Sequence, residues 1–322
     1  MSDTRADSHG GDSAEAGLRL QLARGDAVIG SVSPVLRHLL VHHDQALFGD
    51  DILARLRAML GDLARQIDDV LVAAGAPRGG RGDALAMALP DVPGLLAHLH
   101  ALSLEWQLTQ RLQDRMGLDP VLSPLLQALI ASSDADISAR AMKLLAAQAR
   151  FAQAQRRMQL PLAELPAELL HGVLITLHDH ARDDATVGDA ARRAEAALCA
   201  RYDEATTRLG LLARLVSGMG AGVVAALALG HAGCAIFVTG AALSGDLNRD
   251  HAMLTLQDGQ EVRLVLALRA AGVKLSVIEE NLLALHPHAA MPDGLARLSV
   301  DRAGELLMQA GPGMENWGGL PR

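Results

Sequence analysis

The sequence predicts an all-α protein, and three observations carry that expectation. Aromatic residues make up 2% of the 322 residues and hydrophobic residues 50%, so the core must be Ala, Leu, Val, Ile and Met, the residues of closely packed helices. Apolar residues recur at spacings of three and four over long spans, the period of one buried helical face. Between Ala167 and His286 there is no proline, the residue that breaks helices. β-Sandwiches and sugar-binding clefts draw on more Tyr and Trp than this chain holds.

Residues 1–17, MSDTRADSHGGDSAEAG, read as a disordered tail. They are polar and net acidic, unlike a signal peptide, and a cytoplasmic location is the expectation. The first helix is expected after Ser33, with Ser33 as N-cap and Pro34 at its first position. A clearer helix starts at Asp50. Its apolar face is Ile52, Leu53, Leu56, Met59, Leu60, Leu63, Ile67, Val70 and Leu71; its polar face is Arg55, Arg57, Asp62, Arg65 and Asp69. Gly75 and Pro77 end it. A helix over about 92–116 stops at Gly117, and residues 18–117 form an N-terminal helical region.

Residues 121–131 read as a short apolar helix, and Ser132, Ser133 and Asp134 offer caps for a helix reaching Met158. The chain turns at Pro161 and Pro166 into another helix. A long helical stretch is expected from Val187 to about Gly218. No Asp, Glu, Lys or Arg falls between Leu215 and Gly245. This Gly/Ala-rich run predicts two close-packed helices broken near Gly230–Gly233, with Gly222 and Ala225 in the tight contact. Further turns at Gly245-Asp246 and Asp258-Gly259 lead into short helices. Ser276 and Glu279 have the spacing of a capping box. Leu275-Ser276-Val277 is echoed by Leu298-Ser299-Val300. Residues 118–310 are expected to stack as antiparallel helix pairs, and residues 311–322 to be tail.

Two stretches together resemble a known family: LLAAQARFAQAQRRMQLPLAELPAELLHGVL, residues 144–174, and GDLNRDHAMLTLQDGQEVRLVLALRAAGVKLSVIEENLLAL, residues 245–285. They are similar to a bacterial family catalogued as domain of unknown function 2336, over roughly residues 119–310. The resemblance implies an all-helical, HEAT-like α-solenoid. It carries no catalytic motif and no active site to transfer.

Net charge is −8, with Lys143 and Lys274 the only lysines. An acidic chain poor in stacking aromatics is not expected to bind nucleic acid. Cys199 and Cys234 read as reduced thiols rather than a disulfide framework. His38 and His42, one turn apart and followed by His43 and Asp44, invite a metal reading but lack a third ligand. His178, His180 and Asp184 are a second weak metal candidate. His286 and His288 would diverge on a helix. Gly218, Gly220 and Gly222 imitate a dinucleotide loop without the preceding strand. No catalytic motif and no cofactor is implied.

One surface stands out. On the helix from Asp134 to Met158, Arg140, Lys143, Arg150 and Arg157 recur at spacings of 3, 7 and 7, with Ala147 and Ala154 completing the stripe. Ile137, Leu144, Phe151 and Met158 form the apolar stripe. The expected function is a non-enzymatic protein-interaction or adaptor protein, with bacterial signalling as its setting, docking an acidic partner on the cationic row. The alternative is a membrane-associated protein anchored by residues 215–245. A metal-dependent enzyme is the third class.

Overall fold

The structure, a computed structural model, describes residues 4–42 and 50–310. Among the described residues there are fifteen α-helices, five short 3-10 turns and no strand, so the protein is all-α. The first helices are α1 (Thr4–His42), α2 (Asp50–Ala73), α3 (Gly82–Ala88), α4 (Leu95–Met116) and α5 (Pro124–Ile130). Then follow α6 (Ala135–Arg156), α7 (Ala167–His180), α8 (Ala185–Cys199), α9 (Arg208–Ser217) and α10 (Val223–Ala226). The chain closes with α11 (Leu229–Ser244), α12 (Arg249–Leu254), α13 (Glu261–Ala270), α14 (Leu275–Leu285) and α15 (Val300–Ala310).

Two compact units divide the chain, and neither is continuous in sequence. The first unit takes described residues 4–32, 107–137 and 215–310; the second takes 33–42, 50–106 and 138–214. The units therefore cut across the expected regions 18–117 and 118–310.

The tail expected over residues 1–17 is helical from Thr4 onward, and Pro34 lies inside α1 rather than at its start. Leu18, Leu22, Ile29, Leu36 and Leu39 are all buried along it. That apolar stripe outweighs the polar composition and the interior proline, because packing rather than propensity supplies most helical stability. The tail expected over residues 311–322 lies outside the described residues.

In the second unit α2 follows its pattern, ending before Gly75, whose φ of +99° suits only glycine. Its expected polar face is not all solvated: Arg55 and Asp62 are buried. Arg55 donates to the Gln155 carbonyl at 3.1 Å. The Asp62 carboxylate accepts from Gln66 Nε2 at 2.7 Å and from Leu160 N–H at 3.2 Å. Both polar groups stay inside because the end of α6 and the turn after it supply partners. The helix expected over 187–218 is two helices. Asp203 accepts from Ala205 N–H at 3.0 Å and Thr207 Oγ1 from Gly210 N–H at 3.0 Å, caps that the apolar periodicity conceals.

In the first unit the charge-free run is buried in part: Val224 and Leu243 are exposed, while the middle of the run is packed in protein. Leu229, Ala232, Ile236, Phe237, Val238 and Ala242 of α11 are all buried, and α11 packs against α5, α10, α12, α13 and α14. Gly233 interrupts α11 with φ 71° and ψ 166°, and a Cβ there would stand 2.9 Å from that of Ser123. Leu227 and Ala228 separate α10 from α11. Asn281 of α14, 2% exposed, accepts from Leu229 N–H at 2.8 Å and donates to the Leu227 carbonyl at 2.7 Å. One amide side chain thus satisfies both backbone groups that the break releases. Gly222 is exposed and a Cβ would meet nothing closer than 3.8 Å, so it is not in a tight contact. Gly240 is: its Cβ would lie 2.9 Å from that of Ala226. The capping box expected at Ser276 does not form, because α14 begins at Leu275 with Lys274 as its uncapped N-cap. Its echo, Ser299, does accept from Arg302 N–H at 3.1 Å. No single described helix is both long and apolar enough to cross a membrane; one pair, Gly82–Asp91 with Leu95–Met116, meets the test only jointly across a 94° bend.

Candidate functional site

The second unit holds an apolar cavity of about 270 Å³ beside a buried ion pair. The cavity lies between α4, the last two turns of α6, the proline turn at 159–163 and the start of α9. Leu102, Phe151, Ala154, Leu160 and Pro161 make it apolar, and Arg150, Glu164 and Arg208 bring charge to it. An apolar cavity with a few convergent polar groups is the usual form of a ligand or side-chain site.

Each charged residue is positioned by local structure. Arg208 opens α9 and is 2% exposed; Glu105 sits in mid-α4 and is 0% exposed. Both guanidinium nitrogens of Arg208 donate to Glu105 Oε1, at 2.5 and 3.1 Å. The same guanidinium lies over the Phe151 ring, 3.6 Å from its centroid, which adds a cation–π contact in a dry setting. Glu164 Oε2 accepts from Arg208 N–H at 2.8 Å and so caps α9, where a carboxylate meets the positive helix end. Desolvating two ions costs several kcal/mol each, and here the pair itself and the aromatic face offset it.

Two further polar groups of the second unit are held neutral. Burial pushes the His100 imidazole down to about 4, so it carries no charge at neutral pH. Burial, and then the charge of Glu204, pushes the Tyr202 hydroxyl up to about 12, and it donates to the Leu165 carbonyl at 2.8 Å.

The cationic row is exposed at Arg140, Lys143 and Arg150 of α6 and at Arg157, which falls just past the helix because α6 ends at Arg156 rather than reaching Met158. Among the described residues none of the four is ion-paired, unlike Arg65, Arg81 and Arg192. Ala147, expected on that outward stripe, is 1% exposed. The row therefore divides at Ala147, with Arg150 beyond it in the cavity lining. Packing against the helix covers the small alanine, while long arginines one turn away still reach solvent. The expected apolar stripe is also rotated: Leu144 is buried, but Ile137, Phe151 and Met158 are only half-buried, and Ala141, Gln148, Ala152 and Gln155 fill the interior.

The metal candidates are not gathered. His178 Nε2 faces Glu195 Oε2 at 2.7 Å, and His180 is exposed. Asp184 accepts from Thr186 and Val187 N–H at 2.8 and 3.2 Å as the N-cap of α8. His38 is exposed, and His43 and Asp44, like the side chain of His42, lie outside the described residues. Among the described residues one group could hold a metal, and it lies in the first unit: Asp258, Glu261 and His286, with donor atoms all within 4.8 Å of one another.

Sequence reasoning missed Glu105 and Arg208 because 103 residues separate them. A signal was present: Glu105 stands alone within the apolar run ALSLEW, where a lone acid at a core position calls for a cation. No family model, no curated protein and no solved structure matches the chain.

Proposed function

We propose that the chain is a non-enzymatic protein-binding module. On this reading the second unit docks an acidic partner, with the cavity receiving an apolar side chain and Arg150 and Arg157 pairing with neighbouring carboxylates. The observation that carries the reading is the position of Arg150, which belongs both to the cationic row and to the cavity lining. An apolar pocket with an unpaired arginine in its lining favours an apolar anchor followed by acids. Arginine suits carboxylates because its planar fork donates two parallel hydrogen bonds. The buried pair fits a structural part in this scheme: Arg208 is already committed to Glu105 and Phe151 and holds one side of the cavity in place. The resemblance to the domain of unknown function 2336 family, which brings a fold and no chemistry, agrees with a binding role.

The test uses the full chain as bait in native lysate, beside two variants. One carries Arg140→Glu, Arg150→Glu and Arg157→Glu together; the other carries Ala154→Leu, which fills the cavity. A partner retained by the native chain should be released by salt and should be missing from both variants while their helical content is unchanged. A partner that survives salt and both variants, or the absence of any retained partner, would sink the reading.

A further inference from the structure

We propose that Asp258, Glu261 and His286 of the first unit form a binding site for a divalent metal ion of the zinc class. The site joins the turn before α13 to the end of α14. Gly259, at φ +83°, turns the chain between Asp258 and Glu261, and its N–H donates to Glu261 Oε1 at 2.9 Å, which orients that carboxylate. His286 follows the last residue of α14, and its side chain is 5% exposed. The ring is therefore fixed, with Nδ1 facing both acids: Asp258 Oδ1 at 3.0 Å and Glu261 Oε1 at 3.8 Å.

The charge count favours a cation. A single imidazole nitrogen carries at most one proton, so two carboxylates face at most one positive charge there. A metal ion in place of that proton serves all three donors. Ligands about 2.1 Å from an ion stand about 3.0 to 3.5 Å apart when adjacent in octahedral or tetrahedral geometry; the 3.0 Å contact already fits, and the exposed Asp258 and the half-buried Glu261 close the wider spacings by small side-chain movements. One imidazole with two carboxylates suits zinc or manganese better than magnesium, which prefers oxygen alone and keeps its water. The far nitrogen, Nε2, is buried with no hydrogen-bond partner among the described residues. With the ring proton on Nε2, the Nδ1 lone pair faces the two acids and is the donor a metal would use.

Three protein ligands leave positions for water. Asp258 is 91% exposed, and Glu261 also lines an open cleft of about 770 Å³ with Leu18, Gln21 and Asp293, so the ion has a route from solvent. Bound there, it clips α13 to α14 and stabilises the folded state by mass action. This site shares no residue with the partner-docking surface, and its failure would leave that reading untouched.

The experiment is zinc titration of the full chain, followed by calorimetry and native mass spectrometry, with the melting temperature as a second readout. One zinc per chain is expected, with a raised melting temperature and no displacement by magnesium. Asp258→Asn changes an exposed side chain, so that variant should fold as the native chain does. It should bind zinc at least about tenfold more weakly and lose the thermal shift. His286→Gln should abolish binding altogether. Lack of zinc uptake by the native chain overturns the proposal. So does undiminished binding by Asp258→Asn, which would mean that other histidines hold the metal.

Discussion

Each unit buries an arginine beside a carboxylate, and the two pairs differ in how well they are satisfied. In the second unit Glu105 and Arg208 are almost wholly enclosed, and the guanidinium has a carboxylate on its edge and an aromatic ring on its face. In the first unit Arg263 pairs with Asp26, yet Asp26 Oδ2 and Arg263 Nε are buried without hydrogen-bond partners among the described residues. Burial raises the Asp26 carboxyl, outweighing the opposing charge and hydrogen bond of Arg263. The lesson is that a buried ion pair is not a fixed quantity of stability. What the pair contributes depends on whether every donor and acceptor around it is used.

The largest expected difference comes from breaking each pair. Glu105→Gln leaves Arg208 buried without a counter-charge and should cost about 3–5 kcal/mol in urea unfolding. Asp26→Asn should cost less, about 1–3 kcal/mol, because one of its oxygens is already unpaired and its charged form is disfavoured. Equal losses would erase the contrast between the units.

Acid should affect the two units alike through a different pair of residues. His100 in the second unit and His251 in the first are both lowered to about 4 from 6.5 by burial, with the Arg263 charge adding to the effect on His251. The unfolded chain then binds more protons than the folded one between those values. Stability should fall as pH drops from 6.5 toward 4, by up to about 3 kcal/mol for each histidine, and change no further through these groups below that window. Asp26, being raised, works in the opposite sense and loses its contribution as pH rises through its folded value. Replacing either histidine with Asn should reduce the acid slope in a pH series of urea melts; an unchanged slope in one variant would show that its histidine titrates normally.

The smallest contrast concerns close approaches. A Cβ on Gly240 would lie 2.9 Å from the Ala226 Cβ, which is fixed to helix backbone, whereas one on Gly172 would lie 2.7 Å from a Val92 methyl. Gly240→Ala should lower stability by about 1–3 kcal/mol, and Gly172→Ala by less, since the valine side chain can rotate away. A larger loss at Gly172 would show the second unit to be the more rigidly packed of the two.

Several features were legible in the residues. The α2 face and its end at Gly75 follow from periodicity and one glycine, both local in sequence. The Asp134 cap of α6 is equally local, with Asp134 Oδ1 accepting from Asp136 and Ile137 N–H at 2.9 and 3.1 Å. The exposure of Arg140, Lys143, Arg150 and Arg157 followed from their spacing. The cavity beside Arg150 did not, because its walls come from α4, α6, α9 and a proline turn. The cluster of Asp258, Glu261 and His286 was hidden for the same reason: the spacing of His286 and His288 speaks only of sequence neighbours, while the two acids stand before and at the start of the preceding helix.

By itself, then, the sequence determined the all-α class and many of the helix ends. Those properties depend on residues within a turn or two of one another, where side-chain periodicity and capping act directly. Only the tertiary structure decided which polar residues are inside. Asp62, Glu105, Arg208 and Asn281 look like surface or neutral positions in the linear chain, and each is buried because a partner about 50 to 100 residues away meets it. The same holds for α1, whose polar first turns and interior proline argue against a helix until its leucines find a core to pack into.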